Sequence, residues 1–434
     1  MRHVLVMTGT GAVGLVAIFF VDFLSLLYVS WLKDPSLTAA VGFSTQVNFF
    51  CMSINIGLAI ALTALVSRAI GAGDRPLARR LAASGLVHVS LIATAVAGLA
   101  MIFRHEILDL MGATGAVRDV AGRFLLIVLP SNALMAIGMA CGGIVRSVGD
   151  ARRAMYVTLS GGIVTAFTDP LLIFGLGFGV YGAAIATVIS RIIFTVLGLN
   201  NSVRVHDLVE RPAPGPVMRD FAAMAAISGP AILTNLATPV GNVYVFRTIA
   251  QFGENAVAAF AIIDRLVPVA FGVIFALSGA VGPVLGQNLG AKLFGRVRRT
   301  MSDSFLLTFL YCAAVWFILF LASGLIVGIF NANAETARYV RFFCTWGVGA
   351  WVFLGFLFVA NAGFNNLGQP LLSTVFNWGR ATLGTIPFVT LGAQRGGVEG
   401  GMIGIALGAL IFGAGALAAA YFTTNRLAKN AGTA

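Results

Sequence analysis

Over 434 residues the chain is 59% hydrophobic and only 10% charged, with a mean hydropathy of +0.94. A soluble domain carries about a quarter of its residues as charges, so this balance excludes one. The formal net charge of +12 does not describe a nucleic-acid surface, because the basic residues alternate from loop to loop between apolar runs.

Those runs are about 20 residues long, enough for a helix to cross a ~30 Å hydrocarbon layer. The ten-residue alternation of an outer-membrane barrel is missing. The first run follows a short MRHVLV start without a cleavage-site pattern, so it reads as a retained span rather than a signal peptide. About twelve spans are predicted, centred near residues 20, 50, 92, 133, 165 and 188, then near 236, 270, 316, 350, 381 and 412. The predicted fold class is therefore an all-α integral membrane protein. Lys and Arg number about 17 on the side of both termini (Arg68 to Arg80, Arg146 to Arg153, Arg204 to Arg219, Lys292 to Arg299 and the ends) and about 7 on the other. By the positive-inside rule this predicts a multi-pass protein of the cytoplasmic (inner) membrane with cytoplasmic termini.

Between spans six and seven lies NNSVRVHDLVERPAPGPVMRD, the longest polar and the most proline-dense segment. It divides the chain into an amino-terminal lobe (1–199), a cytoplasmic linker (200–219) and a carboxy-terminal lobe (220–434). The lobes read as copies. SRAIGAGDRPLARR (67–80) lies over GQNLGAKLFGRVRR (286–299) at an offset of 219 residues, and VGD (148–150) over LGQ (367–369). With a one-residue slip, GVYGAAIA (179–186) meets GVEGGMIG (397–404). An even number of spans per copy makes the repeats parallel, as in secondary transporters. Cys51, Cys141, Cys312 and Cys344 fall in apolar runs without a CxxC pair and read as small buried hydrophobes.

Charges inside spans are costly, about 2.5–3.5 kcal/mol for a central Asp, Lys or Arg on the insertion scale. Asp22, in FFVDFLSLLYVSW (19–31), and Asp169, in span five, lie ~21 Å and ~22 Å along outward-running helices, at one level. Thr187 enters from the outer side to ~12 Å, near that level, and Thr165 shares the helical face of Asp169. Pro170 withholds a backbone donor from a carbonyl one turn earlier. These oxygens suit a proton or a hard cation such as sodium, and two close carboxylates would share a proton. In the second lobe Asp264 and Arg265 are a candidate charge, the acid being open to neutralisation by a cation on a neighbouring helix; Arg191 and Arg380 read as snorkelling or pairing residues, and Arg247 ends a span near the outer surface. His88 reads as a packing residue. No GxxxxGKS/T loop, HExxH or Ser/His/Asp arrangement is found, so no enzyme, organic cofactor or ATP-driven step is expected, and sodium at Asp22 and Asp169 is the sole metal considered.

In their order and spacing, RAIGAGDRPLARR, RSVGDARRA, TDPLLIFGLGFGVYGAAIAT, VLGQNLGAKLFGRVRR and Asp22 resemble the MATE (multidrug and toxic compound extrusion) family over essentially the full length. The resemblance implies a V-shaped pair of six-helix lobes that exports amphipathic, often cationic small molecules against protons or sodium. Asp22 and Asp169 match the family's acids of the first and fifth helices, and Thr187 its hydroxyl of the sixth. Thr165 stands where many members have asparagine. The acids that sodium-type members carry in helices seven and ten have no match in TNLATPVGNVYVF or VANAGFNNLGQP, and the first-helix proline is Gly11, with Pro230 at its repeat counterpart. Bending of span one would then fall to Gly9, Gly11 or Gly14.

The expected partners are organic small molecules and the bilayer, with no nucleic acid and a monomeric state. Two other readings remain. One is a lipid-linked oligosaccharide flippase of the same superfamily, which the intramembrane arginines would suit. The other is a non-transporting membrane protein or membrane-embedded enzyme. A major-facilitator transporter is disfavoured because Ile70 stands where its loop motif needs glycine.

Overall fold

The computed structural model describes residues 2–32, 34–330 and 332–432, with side chains for all of these except 2, 3, 22, 23, 26, 30, 35 and 428–432. Among the described residues every regular element is helical. The first half contains α1 (Arg2–Ser30), α2 (Pro35–Gly71), α3 (Arg75–Ile102), α4 (Arg104–Leu110), α5 (Gly115–Val128), α6 (Asn132–Ser147), α7 (Ala151–Pro170) and α8 (Val180–Leu199). The second contains α9 (Pro214–Ala250), α10 (Glu254–Gly290), α11 (Phe294–Ile329), α12 (Ala334–Thr345), α13 (Ala350–Asn366), α14 (Pro370–Ala381) and α15 (Ile386–Gly432).

Eleven apolar helical segments among the described residues are long enough to cross a membrane, and the last, Pro370–Leu427, holds 58 residues. At 1.5 Å per residue that is far more than one crossing. It is interrupted after α14 at Thr382 (φ −105, ψ −78) and again inside α15 at Gly396 and Gly397, whose dihedrals are non-helical. A methyl group on Gly392 or on Gly400 would collide with the other's carbonyl oxygen. The chain therefore doubles back at Gly396–Gly397, and this segment supplies the eleventh and twelfth predicted spans.

The repeat is visible in the backbone itself. Helices α2 and α10 are both 37 residues long and are followed by Ala72 (φ −74, ψ −4) and Ala291 (φ −76, ψ 0). Gly149 and Gly368 adopt φ of 85° and 84°. Gly179 (φ 56, ψ −137) and Gly397 (φ 59, ψ −142) share a conformation that side-chain-bearing residues avoid. The sequence offset thus reproduces turn geometry as well as residue type.

The chain forms two compact units, Val13–Ile232 and Leu233 onward together with the residues before Val13. The first is built on Leu58, Leu62, Val66, Val89 and Ile144, and the second on Phe271, Ile274, Cys312, Val340 and Cys344. All four cysteines are buried free thiols, as expected of small apolar residues.

Segment 200–219 is tied down to the first unit. Arg75 donates to the His206 carbonyl at 2.6 Å, and Arg79 pairs with Asp207 at 2.8 Å. Buried Asp220 takes two hydrogen bonds from Arg80 and one from Ser84, while His88 bonds the Val217 carbonyl at 3.0 Å and packs against Phe221. His88 is thus a packing and anchoring residue, in agreement with the sequence.

Candidate ion-coupling site

Asp169 lies one position before the end of α7, and Pro170 cannot donate to the carbonyl four residues back. The helix then widens into a π turn over Leu171–Gly175. Wide turns of this kind are common at functional sites. The Asp169 side chain is 1% exposed, and Ser25 of α1 donates its hydroxyl to Oδ2. A carboxylate this deep in an apolar span needs such donors, or a bound cation or proton, to exist at all.

Ser25 is the residue that sequence reasoning missed. Its signal was available, for it follows Asp22 by three positions in the same apolar run. The Asp22 side chain itself lies outside the described residues. Thr165 and Thr187 send their hydroxyl protons to their own helices, to Gly161 at 3.0 Å and Ala183 at 2.9 Å. Their oxygens retain lone pairs, so both remain acceptors. Ser190 of α8 also donates to the Gly161 carbonyl, at 2.8 Å, and so fastens α8 to α7 beside Thr165.

A second polar layer in the first unit surrounds Arg191. Its Nη1 donates to the Val128 carbonyl at 3.2 Å and to Ser131 Oγ at 3.0 Å, and its Nη2 to Asn48 Oδ1 at 3.2 Å. Asn55 and Asn132 extend the layer through a 2.9 Å bond. Arg191 is therefore a pairing residue, but its partners are neutral dipoles rather than a carboxylate.

In the second unit Asp264 and Arg265 are exposed on α10, ~15 Å from its start. Polar contacts instead collect between α9 and the α14–α15 segment. Trp378 Nε1 donates to the Leu233 carbonyl at 2.9 Å, Thr234 meets Thr374 at 3.3 Å, Arg380 Nη2 donates to Thr238 at 3.1 Å, and Tyr244 meets Thr390 at 2.5 Å. Asn377 joins this seam to α13 through Asn361 at 2.9 Å. Among the described residues no group of three or more His, Cys, Asp or Glu could hold a metal ion.

The MatE family model matches residues 12–171 and 230–391. A protein named FAD transporter from Shewanella oneidensis is 28% identical over 99% of this chain and 95% of its own length. The probable multidrug resistance protein YoeA of Bacillus subtilis is 23% identical over 80% of this chain and 78% of its own. Among solved structures, the Vibrio cholerae MATE transporter VcmN in its bent form superposes with a TM-score of 0.92, at 23% identity over 98% of this chain and 97% of that one.

Proposed function

The chain belongs to the MATE family of membrane transporters, which are not enzymes, and from that premise we propose that it is a secondary active exporter. It moves amphipathic small molecules, organic cations among them, outward against protons or sodium ions. The observation that carries the coupling is the buried Asp169 carboxylate, held by Ser25 from a different helix. An ion that binds there bridges α7 and α1, so its affinity changes whenever the two helices shift. A difference in ion affinity between two states is what coupling requires.

Asp22 would supply the second carboxylate, with Thr165 and Thr187 as neutral oxygen ligands; hard-cation chemistry favours that donor set. Asp264 and Arg265 would be a second-lobe charge of lesser weight, because both are exposed. Efflux from everted vesicles, driven in turn by a pH gradient and a sodium gradient over a small panel of dyes and cations, tests the reading. Loss of both in Asp169→Asn supports it, and undiminished transport removes the assignment.

A second reading concerns the cargo. The relative matched along almost the whole chain is named for an anionic dinucleotide, and spans seven and ten carry no carboxylate in TNLATPVGNVYVF and VANAGFNNLGQP. A phosphate-bearing cargo of that kind should therefore be included in the transport panel.

A further inference from the structure

The two repeats place different chemistry at corresponding positions. At the offset of 219 residues Gly241 corresponds to Asp22, Tyr244 to Ser25 and Arg380 to Gly161. In the first unit Ser25 reaches Asp169. In the second, Tyr244 reaches Thr390 at 2.5 Å, two residues beyond Phe388, the counterpart of Asp169. The bridge between helices is repeated, but the carboxylates are gone and an arginine has taken the place of Gly161.

Arg380 stands ten residues into α14, ~15 Å from its start and near the middle of the layer. A Cβ built on Gly241 would lie 3.2 Å from that of Ala381, so α9 and α14 approach closely at this point. Arg380 Nη2 donates to Thr238, its Nε is buried without a hydrogen-bond partner, and the residue as a whole is half-buried. Among the described residues no carboxylate lies within ion-pair distance of it. Arg191 provides the contrast, since both of its Nη groups are spent on neighbouring oxygens. A cation at mid-span with donors to spare is matched by an oxyanion, to which a guanidinium fork donates two parallel hydrogen bonds.

We propose that Arg380 and Thr238 form an anion subsite in the second unit, which takes the phosphate or carboxylate group of an amphipathic molecule. Naming that molecule as cargo rests on the export reading; the headgroup of an anionic lipid offers the same chemistry. Hydrogen bonds to a charged group discriminate by roughly ten-fold or more.

The test uses the full chain in nanodiscs of phosphatidylcholine and two probes that differ by one phosphate, flavin mononucleotide and riboflavin, followed by flavin fluorescence. The expected result is tighter binding of the mononucleotide by about ten-fold, abolished in Arg380→Gln and partly kept in Arg380→Lys. Equal affinities, no binding of the mononucleotide, or an unchanged preference in folded Arg380→Gln would overturn the proposal. If Arg380→Gln does not fold, Thr238→Val decides, with a reduced preference expected and an unchanged one overturning the subsite. Replacing part of the lipid with phosphatidylglycerol separates the sources: competition identifies a headgroup, and its absence identifies soluble cargo. Binding through Arg380 without any export would leave the subsite standing and remove the export reading.

Discussion

In the first unit the bridge from α1 to α7 ends on a buried carboxylate, Asp169; in the second, the bridge from α9 to α15 joins two neutral hydroxyls, Tyr244 and Thr390. The backbone around them is nearly the same, down to the matching dihedrals of Gly179 and Gly397. Duplication has therefore copied a scaffold, and the two copies have diverged in the side chains placed on it. A carboxylate supplies the negative charge that a cation or proton answers, whereas the Tyr244–Thr390 pair is neutral and supplies none. Coupling should therefore reside chiefly in the first unit.

The largest effect expected from breaking this asymmetry is in Asp169→Asn. Gradient-driven efflux in proteoliposomes should fall by ~100-fold or more, and Asp22→Asn should do the same, while Tyr244→Phe at the matching bridge should leave the ion dependence of transport unchanged. Next comes the anchoring of segment 200–219. Asp220→Ala strands Arg80 in a partly buried place and should lower stability by about 2 kcal/mol. Its comparison is Arg299, the counterpart of Arg80, which is 84% exposed on its side chain and 3.9 Å from Asp303; Arg299→Ala should stay within ~0.5 kcal/mol in the same denaturation assay.

Ser25→Ala sharpens the comparison at one atom. Losing a donor that competes with the coupling ion for the carboxylate should lower the ion concentration needed for half-maximal transport by about ten-fold and so shift the wild-type ion dependence. Ser25→Thr should restore most of it, which a purely structural defect would not do. The smallest effect belongs to the turn before α7. Burial alone would raise the Asp150 carboxyl, but hydrogen bonds from the Arg153 backbone and side chain, with the charges of Arg153 and His206, hold it below the usual carboxylate range. A carboxyl held low stabilises the fold at and above its ordinary range near pH 4, and the gain disappears as pH falls through the lowered value. Melting temperature measured from pH 6 to pH 3 should therefore drop more in the wild type than in Asp150→Asn, which keeps a capping oxygen but has no charge to titrate. At the corresponding turn Gln369 makes no side-chain cap, so Gln369→Ala should shift neither curve.

Much of this was legible in the residues. Hydropathy located the spans because each must satisfy its own backbone in lipid, which leaves the sequence few alternatives. Asp169 was legible because a carboxylate in such a run is rare and costly. In the sequence Arg75, Arg79 and Arg80 are topology charges; in the fold they also grip His206, Asp207 and Asp220. Ser25 is harder to read, because a serine costs little in a helix and can satisfy itself locally; its spacing of three from Asp22 is the one mark it carries.

By itself the sequence determined the class of molecule, the twelve-span plan, the internal repeat and the acid of the fifth span, because each follows from composition or spacing along the chain. Only the tertiary structure decided that Ser25 holds that acid, that segment 200–219 is clamped to α3, and that both Nη groups of Arg191 are engaged while the buried Nε of Arg380 has no partner. Those outcomes depend on which oxygens neighbouring helices bring within about 3 Å, and helical periodicity fixes a face without fixing its neighbour.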